Sequence, residues 1–430
     1  MSLFDLGLRK PYGIVGLGKS GLALLHLLLK LGVPRSEIFT FDDRSQEADF
    51  NHPDLFLQNP VKTLFVSPGV PLSTPWIQGF ETRGGRISNE FELSFSMLQT
   101  ERVVGVTGSI GKSTVTSLLH AGALAIDPNA FAGGNLGTPL ATYISDVMEG
   151  RPRAQFINLE ISSYQLERFK NLDLELGVIT YLTPNHLDRY PSLENYYDTK
   201  LILGERCVRG VICNSEGGDL KSFVEKRRPR WPETFWCSKN DEVMTSLQVR
   251  HCSLVGQHNM DNLALAVRVA RLMNWDAKSL TAMQDFKGLP HRLQLVATIK
   301  GVRFINDSKA TALDSVENAI SSVLSEQPKR ILLLIGGKDK GLPWERLRGL
   351  KDHQKVVPFL FGADRGLIAE KTGLSASPFE RLEDLLKNLE GQLKDGDVVL
   401  LSPGGTSVDQ FKSFEHRGEV FTAWVESLKS

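Results

Sequence analysis

Short apolar runs recur along nearly the whole chain, most of them ending in Gly, Pro or Ser and followed by a helix-like segment. Strands are expected at 12–15, 38–42, 63–67, 102–106, 154–160, 176–182, 302–306, 331–335, 356–361 and 397–401. No other feature constrains the fold as strongly. Alternation of this kind builds α/β layers on largely parallel sheets, and near-continuous apolar strands fit sheets covered on both faces. A length of 430 residues is a prior of about three domains. Breaks near residue 98, before a new strand and glycine-rich loop, and near 289, in the turn Gly288-Leu289-Pro290-His291-Arg292, give 1–98, 99–289 and 290–430.

Fifty basic residues balance fifty acidic ones, which argues against an electrostatic nucleic-acid binder. The apolar stretch Leu22 to Leu31 contains His26 and Lys30 and is too short to span a bilayer. The start MSLFDLGLRK lacks a basic region followed by an apolar core, so no signal peptide and no membrane partner are expected. Cys207, Cys213, Cys237 and Cys252 form no CxxC pair, which points to reduced thiols in a cytoplasmic protein. The basic cluster 221–230 (KSFVEKRRPR) reads as a solvated loop or helix end.

Two glycine-rich loops carry the chemistry. Gly16-Leu17-Gly18-Lys19-Ser20-Gly21 fits GxGxxG, follows a strand and opens a helix expected over 19–31, and Asp42 and Asp43 end the next strand. Such glycines let backbone N–H groups and a helix N-terminus approach a diphosphate, while the carboxylate can reach a sugar hydroxyl or base. An NAD(P) site, a UDP-sugar site and a purely structural tight turn all remain open on these residues. The second loop, Gly105 to Thr114, keeps the Gly111-Lys112-Ser113 core of a phosphate loop, although Val106 stands where GxxxxGK[ST] needs Gly. Backbone N–H groups of 109–113 can cradle phosphates, Lys112 can reach the β/γ-phosphates, and the Ser113 hydroxyl can bind Mg²⁺. An ordinary strand–helix loop is the bland alternative.

Other candidates are less distinctive. Glu160 ends an apolar strand, where a carboxylate near a nucleotide loop suits Mg²⁺. His186 follows the next strand in Thr183-Pro184-Asn185-His186, and a structural role competes with a functional one. Lys200 lies in a helix-like segment over 192–208, with a cap expected at Ser192, and reads locally as a surface lysine. Asn259 and Asn262 suit either a base or ribose contact or a helix cap.

Taken together, these segments resemble the Mur ligase family of ATP-dependent amide-bond-forming enzymes. The resemblance covers nearly the whole chain. It rests on GVTGSIGKST at 105–114, GGNLG at 133–137, LEISSYQLE at 159–167 and NHLDRYP at 185–191. It continues with GQHNMDN at 256–262, GLPHR at 288–292, NDSKAT at 306–311, GGKDKG at 336–341 and LLSPGGTSVDQFKSFEHRGEVF at 400–421. NDSKAT and the C-terminal block look like the member that adds D-glutamate to UDP-N-acetylmuramoyl-L-alanine.

The resemblance implies an α/β chain of three domains: a Rossmann-like N-terminal domain for the UDP moiety, a central P-loop-type ATP domain, and a Rossmann-like C-terminal domain. Gly18, Lys19, Ser20, Asp42 and Asp43 then lie at the uridine and diphosphate contacts. Gly108, Ser109, Gly111, Lys112, Ser113, Thr114, Asn262, Arg292 and Asp307 match ATP contacts, and Asn135 contacts substrate. Ser113 and Glu160 match Mg²⁺ ligands. His186 matches a second-ion ligand, and Lys200 matches a lysine that the family carbamylates, turning a cation into an oxygen ligand. Lys309, Thr311, Lys340, Ser407 and Phe414 match positions holding the incoming D-glutamate. ATP, two Mg²⁺ ions and small-molecule substrates are implied, and a monomer is expected.

The implied chemistry activates a carboxylate as an acyl phosphate, which the free amine of D-glutamate attacks. His186, alone or through water, is a candidate proton acceptor. The chain departs from the family pattern at Ile110, Tyr181, Asn185, Ala312 and Gly404-Gly405-Thr406. Asn185 in place of Asp removes a negative charge beside the expected metals and should raise the Mg²⁺ requirement. A relative adding another amino acid, an NAD(P)-dependent oxidoreductase, and a nucleotide-binding protein without turnover are the competing readings.

Overall fold

A computed structural model describes residues 6–167, 173–184, 190–249, 251–374 and 378–429. Its strands fall into three sheets. In the first, β1 (Tyr12–Val15), β2 (Ile38–Phe41), β3 (Thr63–Val66) and β4 (Arg86–Ser88) lie in the order β2-β1-β3-β4, all parallel. In the second, β5 (Arg102–Thr107), β6 (Phe131–Gly134), β7 (Phe156–Glu160), β8 (Leu174–Ile179), β9 (Cys207–Asn214) and β10 (Thr234–Cys237) take the order β10-β9-β8-β5-β7-β6, again all parallel. The third holds β11 (Gln294–Ile299), β12 (Val302–Asn306), β13 (Arg330–Gly336), β14 (Val356–Phe361), β15 (Pro378–Phe379) and β16 (Asp397–Gly404) in the order β11-β12-β16-β13-β14-β15. Only the β11–β12 pair is antiparallel there.

The apolar runs explain these sheets. β1, β3, β7 and β16 are buried at every position, as strands covered on both faces must be. The helix Lys19–Lys30 buries Gly21, Leu24, Leu27 and Leu28 on one face and keeps Lys30 in its last turn, where a cation suits the helix dipole. The helix Leu193–Glu205 is capped at Ser192, whose side chain accepts the Asn195 N–H. It stops short of the expected end, because Cys207 and Val208 open β9. The strand expected over 176–182 is shifted to Leu174–Ile179, since Thr180 turns its hydroxyl to the glycine loop after β5. The basic cluster is a helix end: Lys226 pairs with Glu194 at 2.7 Å, and Arg227 pairs with Asp198 at 2.7 Å.

Two compact units result, Met1–Arg250 with Asp261–Met283, and His251–Met260 with Gln284–Ser430. The first two sheets share the first unit and one apolar core: Leu24, Leu27 and Leu28 pack with Phe91, Leu140, Tyr143 and Ile144. Each such buried side chain contributes about 1.5–3 kcal/mol. Among the described residues no helix is long and apolar enough to cross a membrane.

Parallel order places the functional loops. β5 lies between β7 and β8, so the loops at the carboxyl ends of these three strands meet. In the second unit β16 lies between β12 and β13 and gathers Asp307, the loop after β13 and the loop after β16 in the same way.

Candidate active site

The loop after β1 is tied down by its neighbours. Gly16 adopts φ +88°, and its N–H donates to Phe41 O at 2.8 Å. Ser67 Oγ donates to Gly16 O at 2.7 Å. A Cβ on Gly21 would lie 2.0 Å from Gly16 O, so that position admits only glycine. Asp42 is bonded into the loop. Its Oδ2 accepts the Leu17 N–H at 2.7 Å, and its Oδ1 accepts the Arg44 and Ser45 N–H groups at 2.8 and 3.0 Å. Burial raises its pKa, but these donors outweigh burial and hold the carboxyl below the usual range. Asp42 therefore builds the loop, while Asp43, Gly18 and Lys19 are exposed at its rim and Ser20 is half-buried.

The loop after β5 is built on cations and carbonyls instead. Gly108 and Gly111 have φ of +148° and +86°. A Cβ on Gly108 would lie 2.1 Å from Thr180 Oγ1, and one on Gly111 would lie 2.8 Å from Asn262 Oδ1. Asn262 thus reaches the loop from the helix Asn259–Leu272, inside its first turn rather than at a cap. Lys112 Nζ donates to Gly108 O at 2.9 Å and Ser109 O at 3.0 Å. Ser113 and Thr114 follow in the first turn of the helix Lys112–Leu124, half-buried. The Ser109 N–H, expected in the phosphate cradle, donates instead to Tyr181 O at 2.7 Å, so the cradle begins at Ile110. Ser109 Oγ donates to Thr183 O at 2.9 Å and lies 3.2 Å from the Tyr196 hydroxyl.

Lys200 is no surface lysine. It is 1% exposed, and its Nζ donates to the same Gly108 O at 2.9 Å and lies 4.6 Å from the centre of the Tyr196 ring. Burial and then the nearby Lys112 push its pKa well below the lysine range, against the pull of Glu160. Glu160 is also buried, at 2% exposure. Its Oε1 accepts from Asn135 Nδ2 at 2.6 Å, and Asn135 N donates to Glu160 O at 2.8 Å. Its Oε2 is buried without a hydrogen-bond partner among the described residues. A buried carboxylate oxygen without a donor is costly unless a cation completes it. That orphaned oxygen and the Ser113 hydroxyl are hard-oxygen donors of the kind Mg²⁺ takes alongside phosphates and water.

In the second unit Asp307 is buried and pushed up to about 7 by burial, against Ser402 Oγ at 2.8 Å, the Leu293 N–H at 3.1 Å and the charge of Arg292. Lys309 is exposed with its Nζ 5.8 Å from the Phe414 ring centre, and Phe414 opens the helix Phe414–Ser427. Thr311 is half-buried, Lys340 exposed and Ser407 buried. The loops holding Lys340 and Ser407 are joined by paired Lys338 and Thr406 backbone bonds of 2.9 Å. Arg417 is fully buried. It donates to Ser308 Oγ, Ser308 O and Gly405 O, fastening the 308 and 405 loops to its helix.

Comparison with known proteins settles the family. A model described as Mur ligase middle domain matches residues 106–270, and one described as Mur ligase, glutamate ligase domain matches 291–405. UDP-N-acetylmuramoylalanine--D-glutamate ligase of Haemophilus influenzae (strain PittEE) is 34% identical over 449 residues, covering 98% of this chain and 99% of that protein. The chain belongs to the Mur ligase family. The protein of the same name from Pseudomonas fluorescens is 33% identical over 448 residues, covering 96% and 97%. Solved Mur ligases share the fold at low identity. UDP-N-acetylmuramate-alanine ligase MurC from Thermotoga maritima has a TM-score of 0.56 at 16% identity, over 98% of this chain and 100% of that one. MurF ligase from Thermotoga maritima in complex with ADP has a TM-score of 0.55 at 16% identity, over 91% and 95%.

The departures from the Mur ligase pattern gain local reasons. Ile110 is 50% exposed, and its position is set through its carbonyl, which accepts from Thr180 Oγ1 at 2.5 Å. Tyr181 serves the loop through its carbonyl, while its ring packs on Gly218. Ala312 stands at the N-cap of the helix Leu313–Ser325 and offers no side-chain acceptor, a loss of about 1 kcal/mol relative to Asn. Gly404 and Gly405 make room, since Cβ atoms there would lie 2.8 Å from the Trp344 ring and 2.7 Å from Gly336 O. Asn185 and His186 lie outside the described residues. Sequence reasoning missed Ser67, whose signal was the Ser67-Pro68-Gly69 turn after β3, and Glu90, discussed below.

Proposed function

We propose that this Mur ligase joins D-glutamate to UDP-N-acetylmuramoyl-L-alanine at the expense of ATP, in peptidoglycan precursor synthesis. The observation that carries the reading is full-length likeness, at 34% identity over 98% of the chain, to a protein of that name. The site chemistry supports it. A carboxylate is a poor acyl donor, and phosphorylation by ATP supplies the leaving group. Lys112 moves from the carbonyls of Gly108 and Ser109 onto the transferring phosphate, and Gly108, Ser109, Gly111 and Thr114 shape the cradle. Asn262, Arg292 and Asp307 hold the nucleotide.

Mg²⁺, when bound, neutralises charge on the phosphates. Ser113 and Glu160 would hold one ion, and His186 and carbamylated Lys200 a second. The depressed pKa of Lys200 favours the neutral amine, which is the form that takes up carbon dioxide. Asn135 holds Glu160 and reaches substrate. Gly18, Lys19, Ser20 and Asp43 receive the UDP moiety in a domain spanning 1–98, with Asp42 as the frame of that site. The central domain, 99–289, carries ATP and metal. Lys309, Thr311, Lys340, Ser407 and Phe414, in 290–430, receive D-glutamate: two cations for its carboxylates, two hydroxyls and a ring. The chain then works on small nucleotide-linked precursors as a cytoplasmic monomer.

The test is ADP release with Mg²⁺, ATP and UDP-N-acetylmuramoyl-L-alanine, comparing D-glutamate with L-glutamate, L-lysine and no amine. Release that depends on D-glutamate, with the amide seen by mass, is expected. Release with another amino acid replaces the substrate and keeps the mechanism.

A further inference from the structure

Glu90 is a buried carboxylate that the reaction scheme does not use. It opens the helix Glu90–Ser96 at the edge of the first sheet and is 7% exposed. Its Oε1 accepts the N–H of Ala141, 51 residues away, at 2.6 Å, and the hydroxyl of Ser94 at 3.2 Å. Ala141 is the second residue of the helix Leu140–Met148 on the central sheet, whose own N-cap, Pro139, makes no side-chain cap bond. A carboxylate from another helix therefore supplies the missing acceptor and meets the positive end of the dipole.

That helix is the stem of the loop carrying Asn135. Gly134 N donates to Thr138 O at 2.9 Å, just ahead of Pro139, and Asn135 grips Glu160 at both backbone and side chain. A Cβ on Gly133 would lie 2.4 Å from Thr138 O, and one on Gly134 the same distance from Glu160 O, so the loop has little room to relax. Glu90 also lines a cleft with Ser67 and Pro68, beside the first glycine loop, and with Tyr164 and Gln165, which follow Glu160. One side chain thus caps the stem of the Asn135 loop and lines a cleft shared with the frame of the first loop.

We propose that Glu90 is a positioning residue: it caps the helix Leu140–Met148 across the two sheets and so fixes the Asn135 loop that orients Glu160. Its contribution to turnover rests on the metal role proposed for Glu160, whereas its contribution to loop order does not.

The experiment reads amide hydrogen exchange over 133–141 in the ligand-free full chain, beside Mg²⁺ titrations of turnover, for Glu90→Ala and Glu90→Gln. Glu90→Ala should exchange about 10-fold or more faster over 133–141 while the β5 amides stay protected. Its half-saturating Mg²⁺ should rise by roughly 10-fold, the scale of losing support behind a metal ligand. Glu90→Gln keeps an oxygen for the Ala141 N–H and should stay within about 3-fold of wild type in both readings. Unchanged exchange over 133–141 in Glu90→Ala overturns the proposal, and so does faster exchange spread equally over the first sheet and β5. If Glu90→Ala does not fold, Glu90→Asp, one methylene short of Ala141, should show the same local pattern, and wild-type exchange there overturns the proposal. Absence of D-glutamate-dependent turnover in wild type would sink the ligase reading, while the exchange pattern would still decide this one.

Discussion

The two glycine loops of the first unit occupy equivalent places, each after a buried strand and before a helix, yet they are held in different ways. The first is organised by an anion whose acceptors are filled: Asp42 takes three backbone N–H groups and Ser67 closes on Gly16 O. The second is organised by two lysines that share Gly108 O, while Glu160 keeps a buried oxygen without a partner among the described residues. The first loop is complete as it stands, so a ligand adds contacts at an exposed rim. The second is electrostatically unfinished, so its ligands must supply the missing charges. Binding energy at the first loop should appear mainly in KM, and at the second mainly in kcat.

The largest test of that contrast is Lys112→Ala. It removes the cation proposed to meet the transferring phosphate, and kcat should fall by about 10³-fold or more, with KM for the UDP substrate nearly unchanged. The helix keeps its backbone start at Gly111, so the melting temperature should stay close to wild type. Steady-state ADP release and a melting curve check both. A loss of less than about 10-fold would mean the second loop is not the phosphate site.

Next is Glu160→Gln, which keeps an oxygen for Asn135 Nδ2 and removes the charge behind the orphaned oxygen. Turnover should drop by roughly 10²-fold and recover in part at high Mg²⁺. Stability should hold or rise, because a buried charge without a full set of partners is costly. A Mg²⁺ titration of kcat, with thermal melts of the ligand-free chain, reads the two effects separately.

Asp42→Ala should act on the other loop. Three N–H groups lose their acceptor, stability should fall by about 1 kcal/mol, and KM for the UDP substrate should rise by roughly 10-fold with kcat within about 3-fold. The pH dependence follows from the depressed pKa of Asp42 in the folded state. A carboxyl depressed by folding stabilises above its unfolded pKa and loses that contribution as pH falls through its folded pKa. Wild type and Asp42→Ala should therefore differ in melting temperature at neutral pH and converge in acid.

How much of this was legible in the sequence differs between the loops for the same physical reason. Strands apolar from end to end, such as Tyr12–Val15 and Ile331–Ile335, declare themselves, because a strand buried on both faces must be continuous. Edge or interrupted strands do not: Arg86–Ser88, Phe131–Gly134 and Pro378–Phe379 are short, and Cys207–Asn214 carries Arg209 and Gly210. The glycine loops were visible because glycine is required where φ is positive or backbones touch. Burial was not visible. Local pattern alone left Lys200 a surface lysine and gave no sign that Asp42 holds the loop. Their roles depend on what the fold brings to them, Gly108 O for one and the Leu17 N–H for the other. Glu90 escaped notice because its partner is 51 residues away.

The smallest expected effect concerns Ile110, where the sequence departs from the expected family pattern inside the second loop. Replacing Ile110 with Asn would matter if the side chain itself shaped the cradle. The geometry argues otherwise. Thr180 Oγ1 fixes the residue by its carbonyl, Gly108 and Gly111 supply the turns, and the side chain is half exposed. A change confined to an exposed side chain leaves the N–H directions in place. Ile110→Asn should therefore move KM for ATP and kcat by no more than about 3-fold. A shift of 10-fold or more would mean the side chain touches the nucleotide, and the contrast between a loop finished by its own residues and one finished by its ligands would have to include residue 110.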